Sequence, residues 1–127
     1  MKAFSLIEVM IASSLLGIGL AAVMTAYGSV SALEAHQERV SAALHLAEGQ
    51  LEELLLRYPD DDDLDEDDHG PQHYTIDGTP VTSPAFFQLS WDVQPGPIAR
   101  TRRVSVEVRW SEQQRGTQTI TLTTHRS

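Results

Sequence analysis

Cysteine is absent from all 127 residues. A disulfide framework and a thiolate zinc site are therefore both excluded, and thiols say nothing about the compartment. Proline is absent before Pro59, so no helix breaker interrupts the chain up to that point. Between Ala3 and Leu33 only Glu8 carries a formal charge. Basic residues are scarce, 9 Lys and Arg against 18 Asp and Glu, for a formal net charge of -9. That imbalance is local, because Asp60 to Asp68 holds eight of the acids; from Arg100 onward it reverses, with six Arg against Glu107 and Glu112. No Ser/His/Asp or Cys/His spacing suits nucleophilic catalysis and the five His are scattered, so the chain reads as a non-enzyme with no cofactor.

What is present first is a long apolar run, FSLIEVMIASSLLGIGLAAVMTAY, from Phe4 to Tyr27. At about 1.5 Å rise per residue, Ile7 to Tyr27 alone crosses a hydrocarbon core of roughly 30 Å. Residues 4–29 are therefore expected to form a transmembrane helix. Glu8 sits at its front, where an unpartnered charge costs several kcal/mol, so an ionisable group here is a functional residue by default. A secretory signal would have a more basic start, a shorter apolar core without an acid, and a small-x-small cut site after it. Lys2 favours a cytoplasmic N-terminus with the remainder outside. Ser13, Ser14, Gly17 and Gly19 are small enough to let a second helix approach, and are equally ordinary in an apolar helix.

The string Ala3-Phe4-Ser5-Leu6-Ile7-Glu8-Val9 resembles the class III leader and cleavage site of the type IV prepilin-like family, which includes pilins, minor pilins and type II secretion pseudopilins. The resemblance implies a leader of residues 1–3, cleavage by prepilin peptidase between Ala3 and Phe4, N-methylation of Phe4, and an assembly role for the Glu8 charge. Ala3 stands where the family usually has Gly. The implied place is the bacterial inner membrane, single-pass, with the C-terminal domain outside the cytoplasm or at a fibre tip. The implied partners are the peptidase, other minor pilins or pseudopilins, and the major subunit.

Beyond the membrane segment, Val40, Leu44, Ala47, Leu51, Leu54 and Tyr58 recur at spacings of four and three, which predicts an apolar stripe on an amphipathic helix over 30–58. One helix from Phe4 to Tyr58 would be roughly 80 Å long. Gly28 and Gly49 each weaken it by about 1 kcal/mol relative to Ala. His36 and His45, nine apart, are poorly spaced for joint ligation.

Residues 59–73 begin PDDDDLDEDDHG, whose repelling carboxylates predict a solvated, mobile loop. The functional alternative is a cation site. Asp65, Asp67, His69 and Gly70 imitate the start of an EF-hand loop, but its twelfth position is Ile76 rather than Glu. His69 and His73 could join the aspartates on a transition metal.

From residue 74 to 127 the period becomes two. Tyr74 to Val81 reads as a short hairpin turning at Asp77-Gly78, with Pro80 on an edge. Phe87, Leu89, Trp91 and Val93, then Val104, Val106, Val108 and Trp110, then Ile120 and Leu122 alternate with polar residues, giving three main antiparallel strands. Their apolar face needs a cover, and the stripe from Val40 to Tyr58 is the surface available, with Trp91 and Trp110 as core anchors. The expected fold is α+β, a long N-terminal helix packed on a small antiparallel sheet, with 30–58 and 74–127 forming one soluble domain. That pilin-like layout is also what the leader resemblance implies.

Ala47-Glu48-Gly49-Gln50-Leu51-Glu52-Glu53-Leu54, Thr101 to Trp110 and Thr119 to Thr124 further resemble the V-type minor pilins and the I-type minor pseudopilins. The Trp110 strand and Thr-rich last strand lean to the former, the short length to the latter. The function implied is a structural subunit that primes or tips a pilus-like fibre, with a type II secretion pseudopilin as the alternative. Arg100, Arg102, Arg103 and Arg109 leave a DNA-uptake role as an alternative of another class, although clustered strand arginines more commonly face solvent or a subunit.

Overall fold

The computed structural model describes residues 3–57, 62–82 and 85–127. Its elements are one helix, α1 (Leu6–Leu56), a 3-10 turn (Asp62–Leu64), and strands β1 (Asp68–Tyr74), β2 (Phe87–Pro95), β3 (Arg102–Glu112) and β4 (Gly116–Arg126). The chain divides into two compact units, Met1–Gln37 and Glu38–Ser127.

In the first unit α1 is apolar on every side, and its large side chains from Leu6 to Val30 are exposed. Among the described residues α1 is the one helix long and apolar enough to cross a membrane. Its hydroxyls are satisfied within the helix. Ser13 Oγ donates to Val9 O at 2.7 Å, Ser14 Oγ to Met10 O at 2.8 Å, Thr25 Oγ1 to Ala21 O at 3.0 Å and Ser29 Oγ to Thr25 O at 3.1 Å. An unsatisfied hydroxyl in hydrocarbon would be costly, and this back-bonding to the carbonyl four residues earlier avoids it.

The second unit is the α+β layout expected, an antiparallel meander in the order β1-β2-β3-β4. Its registers, such as Trp91 opposite Val106 and Val106 opposite Leu122, put the alternating apolar residues on one face. Phe87, Leu89, Trp91, Val93, Val104, Val106, Val108 and Trp110 are buried there against Ala43, Ala47 and Leu54 of α1. Ile120 and Leu122 on edge strand β4 pack half-buried against the same core.

The helix presents a slightly rotated face. Ala43, Ala47, Gln50 and Leu54 are buried, Val40, Leu46 and Leu51 flank them, and Leu44 is exposed. Tyr58 lies outside the described residues. Alanine at two successive contact turns lets the helix backbone lie close to the sheet, and Phe87, Trp91 and Trp110 supply bulk to the shared core. Both indoles find partners: Trp110 Nε1 donates to Glu112 Oε1 at 2.9 Å and Trp91 Nε1 to Asp63 O at 2.9 Å.

The described part of the acidic segment, residues 62–73, is more ordered than the mobile loop expected over 59–73. Leu64 is only 1% exposed, inside the core. Besides Trp91, Arg102 Nη1 donates to Leu64 O at 2.8 Å and Val93 N to Asp67 O at 3.2 Å. Leu64 and nearby backbone carbonyls anchor the segment; the Asp63 carboxylate pairs with Arg57, while Asp62, Asp65, Glu66, Asp67 and Asp68 are exposed. The sheet accordingly begins at Asp68 rather than Tyr74. Gly70 and Pro71 interrupt the ladder between His69 and Gln72, and at Gly70 (φ 100°) a side chain would run into Leu89 O. The Tyr74 to Val81 hairpin forms as a tight turn with one bridge, Tyr74 to Pro80.

Arg126, near the end of β4, closes the other side. Its Nη1 donates to Leu54 O at 2.6 Å and its Nη2 to Arg57 O, so a cation sits on the carbonyl end of α1, whose last turn has no basic residue of its own.

Replacing Ala47 with Leu forces extra methylenes between α1 and the sheet and is expected to destabilise the domain by about 1–3 kcal/mol. Chemical denaturation of the full chain in detergent micelles, followed by Trp fluorescence, measures this. Leu44→Ala, on the exposed flank, should cost much less.

Candidate functional site

The start of α1 is built by a local rule. Ser5 immediately precedes the first helical residue, and Glu8 lies three residues after it, the spacing of a capping box. The geometry follows the pattern. Glu8 Oε2 accepts the Ser5 amide at 3.0 Å, and Ser5 Oγ accepts the Ile7 amide at 3.3 Å. The Ser5 carbonyl accepts from Glu8 N at 3.0 Å and Val9 N at 3.2 Å. Several otherwise unpaired groups of the helix start are thereby satisfied, and an anion sits where the helix dipole favours one.

The carboxylate lies on a defined face. Phe4, Glu8, Val9, Ala12, Ser13 and Leu16 line a shallow groove of about 480 Å³. Glu8, Ala12 and Leu16 are four apart and share one side of the helix, and Phe4 lies ahead of it. Ala3 and Phe4 are exposed, Phe4 at 85%, ahead of the helix. The arrangement presents one carboxylate, anchored through one oxygen, beside an accessible peptide bond between a small and a large residue. It contains no nucleophile and base pair for chemistry of its own.

The other residues singled out from the sequence do not assemble into a second site of the expected kinds. His69 Nε2 is 3.0 Å from Asp65 O, and its ring stacks on Trp91 at 5.5 Å between centroids. Asp67 uses a carboxylate oxygen to accept the Asp68 amide at 2.8 Å. Among the described residues no three His, Asp or Glu side chains converge on a point that could hold a metal ion. The arginines are divided. Arg102 and Arg126 serve backbone carbonyls, Arg109 pairs with Glu107 at 2.6 Å, and Arg100 and Arg103 are exposed on a loop and on the outer sheet face. His45 lies 3.8 Å from Glu48 on the exposed side of α1.

Two features escaped the sequence reading. Ser5 belongs with Glu8, and the signal was available, since Ser-x-x-Glu before an apolar run marks a helix start. The second is a pair of acids, Asp68 and Asp92, directly opposite each other across β1 and β2. Partial burial, followed by the nearby Asp68 charge and a hydrogen bond to Asp68, raises the Asp92 pKa above the usual carboxylate value. Nothing short of the strand register reveals that pair.

A family model described as the prokaryotic N-terminal methylation motif matches residues 1–24. Neither a curated protein nor a solved structure gives a significant match. The motif match takes in Ala3, Phe4, Ser5 and Glu8 and supports a type IV prepilin-like chain. It also supports a substrate of prepilin peptidase, anchored in the inner membrane by its apolar helix and structural rather than enzymatic in role.

Ser5→Ala removes the hydroxyl acceptor and is expected to weaken the helix start by about 1 kcal/mol. The Ile7 and Glu8 amides should then exchange faster in micelles, while amides from Leu15 onward stay unchanged.

Proposed function

We propose that the chain is a minor pilin-like subunit that is cleaved between Ala3 and Phe4, is N-methylated at Phe4, and primes or tips a type IV pilus-like fibre. The observation that carries this reading is the single carboxylate Glu8 at the front of an exposed apolar helix, within a stretch that matches the methylation motif. The minor role rests on the resemblance of 47–54, 101–110 and 119–124 to minor pilins and pseudopilins.

The physical logic is charge cancellation in a poor solvent for charge. Cleavage creates a cationic amine on Phe4, and both it and Glu8 are expensive to hold in hydrocarbon alone. A neighbouring subunit's amine meeting this Glu8 neutralises both. The carboxylate suits the role because Oε2 is held by Ser5 N while Oε1 brings further acceptor capacity. Apolar surface from Leu6 to Val30 can then pass from lipid contact to contact with other subunits. N-in topology puts the second unit outside the cytoplasm, where partner subunits would meet it.

A minor pseudopilin of type II secretion would use the same chemistry, and the I-type resemblance favours it as the second reading. Deletion of the gene separates the two: loss of surface pili marks a pilus subunit, and accumulation of unsecreted enzymes marks a secretion subunit.

Mass analysis of protein recovered from cell membranes should give a chain beginning at N-methyl-Phe4. An intact Met1 terminus in cells with active peptidase would refute the processing step. Glu8→Gln keeps an acceptor for Ser5 N but loses the charge, whereas Glu8→Ala loses both. Both variants should insert, be cleaved, and fail to be recruited. Normal incorporation of Glu8→Gln would show that the cap, and not the charge, is what assembly requires.

A further inference from the structure

The first residues of β1 are held by a short, isolated piece of ladder. Asp68 opposes Asp92 and His69 opposes Trp91, and the pairing then breaks at Gly70-Pro71 before resuming at Gln72. One more backbone bond, from Val93 N to Asp67 O, adjoins it. On the inner face of this patch His69 stacks on Trp91, and on the outer face two carboxyl groups stand opposite each other. Two like charges directly opposite on neighbouring strands repel, whereas a carboxyl and a carboxylate attract through one proton. We propose that a proton held between Asp68 and Asp92 latches the acidic segment 62–67 and the start of β1 onto the sheet, and that losing this proton loosens them.

The surroundings define what else acts on the pair. Asp67 and His69 flank it on its own segment. Ser105 of β3 opposes Asp92, with Arg103 and Glu107 at the two diagonal positions, and Arg109 is held on Glu107. On β4 the residues nearest this face are the neutral Thr121 and Thr123. Glu107 is paired with Arg109, so Asp67 and Asp68 beside Asp92 are set against Arg103; a Gln94 side-chain hydrogen bond favours the charged Asp92, but burial and the two acids outweigh it and favour retention of a proton.

The sign of the pH effect follows. Asp92 is an acid whose proton affinity is raised in the folded state. Its stabilising contribution is complete below the ordinary carboxylate value and is lost as pH rises through the raised value. Acid tightens the latch and neutral pH loosens it. This is the opposite of the usual trend for paired carboxylates, which lose their stabilisation on acidification. The segment so controlled inserts Leu64 into the core and supplies the carbonyl that holds the Trp91 indole, so loosening withdraws Leu64 and uncovers an apolar patch at one end of the core. A domain outside the cytoplasm would experience external pH directly. The latch itself does not depend on Glu8 or on processing.

Hydrogen exchange of the full chain in detergent micelles, corrected for the intrinsic pH dependence of exchange, tests the latch. Between about pH 7.5 and about pH 4.5 the Val93 and His69 amides should gain protection several-fold relative to the β3 and β4 ladder amides. Asp92→Asn should flatten that profile and leave the amides protected at the higher pH. Asp68→Asn, at an exposed position, should do the same and serves if the first variant folds poorly. Wild-type amides that track the β3 and β4 reference at every pH would overturn the proposal. A slope that survives both substitutions but disappears in His69→Gln would overturn it as well, placing the sensitivity on the imidazole.

Discussion

A helix surrounded by hydrocarbon cannot leave a polar group without a partner, and the first thirty residues are organised around that constraint. Ser13, Ser14, Thr25 and Ser29 turn their hydroxyls back onto the helix, leaving its outside apolar in effect. The exposed amides at the helix start are the harder case, since there is no preceding turn to bond them. Ser5 and Glu8 answer it together, and in doing so fix the carboxylate at the end of the helix where the dipole favours an anion. A group that serves the fold of one chain is thereby held at the position where an intersubunit contact would need it.

The second unit meets a related constraint in water. The carbonyl end of α1 also needs partners, and the chain supplies them from its far end through Arg126. Arg102 does the same for Leu64 at the 3-10 turn. Of the six arginines late in the sequence, Arg102 and Arg126 fasten carbonyls and Arg109 and Arg115 lie against Glu107 and Glu112, which narrows what remains for an external anion to Arg100 and Arg103. Small residues in α1 and large ones in the sheet complete the arrangement: Ala43 and Ala47 let the helix settle onto Phe87, Trp91 and Trp110.

Much of this was legible in the sequence because it follows from period and composition. The continuous apolar run gave the membrane-capable helix, strict alternation gave β2, β3 and β4, and Glu8 falls in the first helical turn, at the front of the apolar run. The rest depended on geometry that linear spacing does not carry. Leu44 and Ala43 are adjacent, and only the bulk of the facing sheet decides which of them is buried. Leu64 is one apolar residue among eight acids, and composition alone assigns it to solvent with them. β1 contains Gly70 and Pro71 and lacks alternation, so its pairing is set by the neighbouring strand rather than by its own pattern. The Asp68 to Asp92 juxtaposition is a consequence of that same pairing and was invisible for the same reason.

The two ends of the molecule's acidity show why residue type is a poor guide to function without its surroundings. Asp62, Asp65, Glu66 and Asp67 of the acidic segment are exposed, where water and salt screen them, and each adds little on its own. One acid at the front of an apolar helix would face a medium in which an unpartnered charge costs several kcal/mol. Asp92 falls between these limits, partly desolvated and facing a like charge, and its protonation is correspondingly open to control by pH. The same carboxylate chemistry therefore serves as solvated surface, as helix cap and as partly desolvated cross-strand neighbour, and the dielectric around each group together with the distance to the nearest charge decides which.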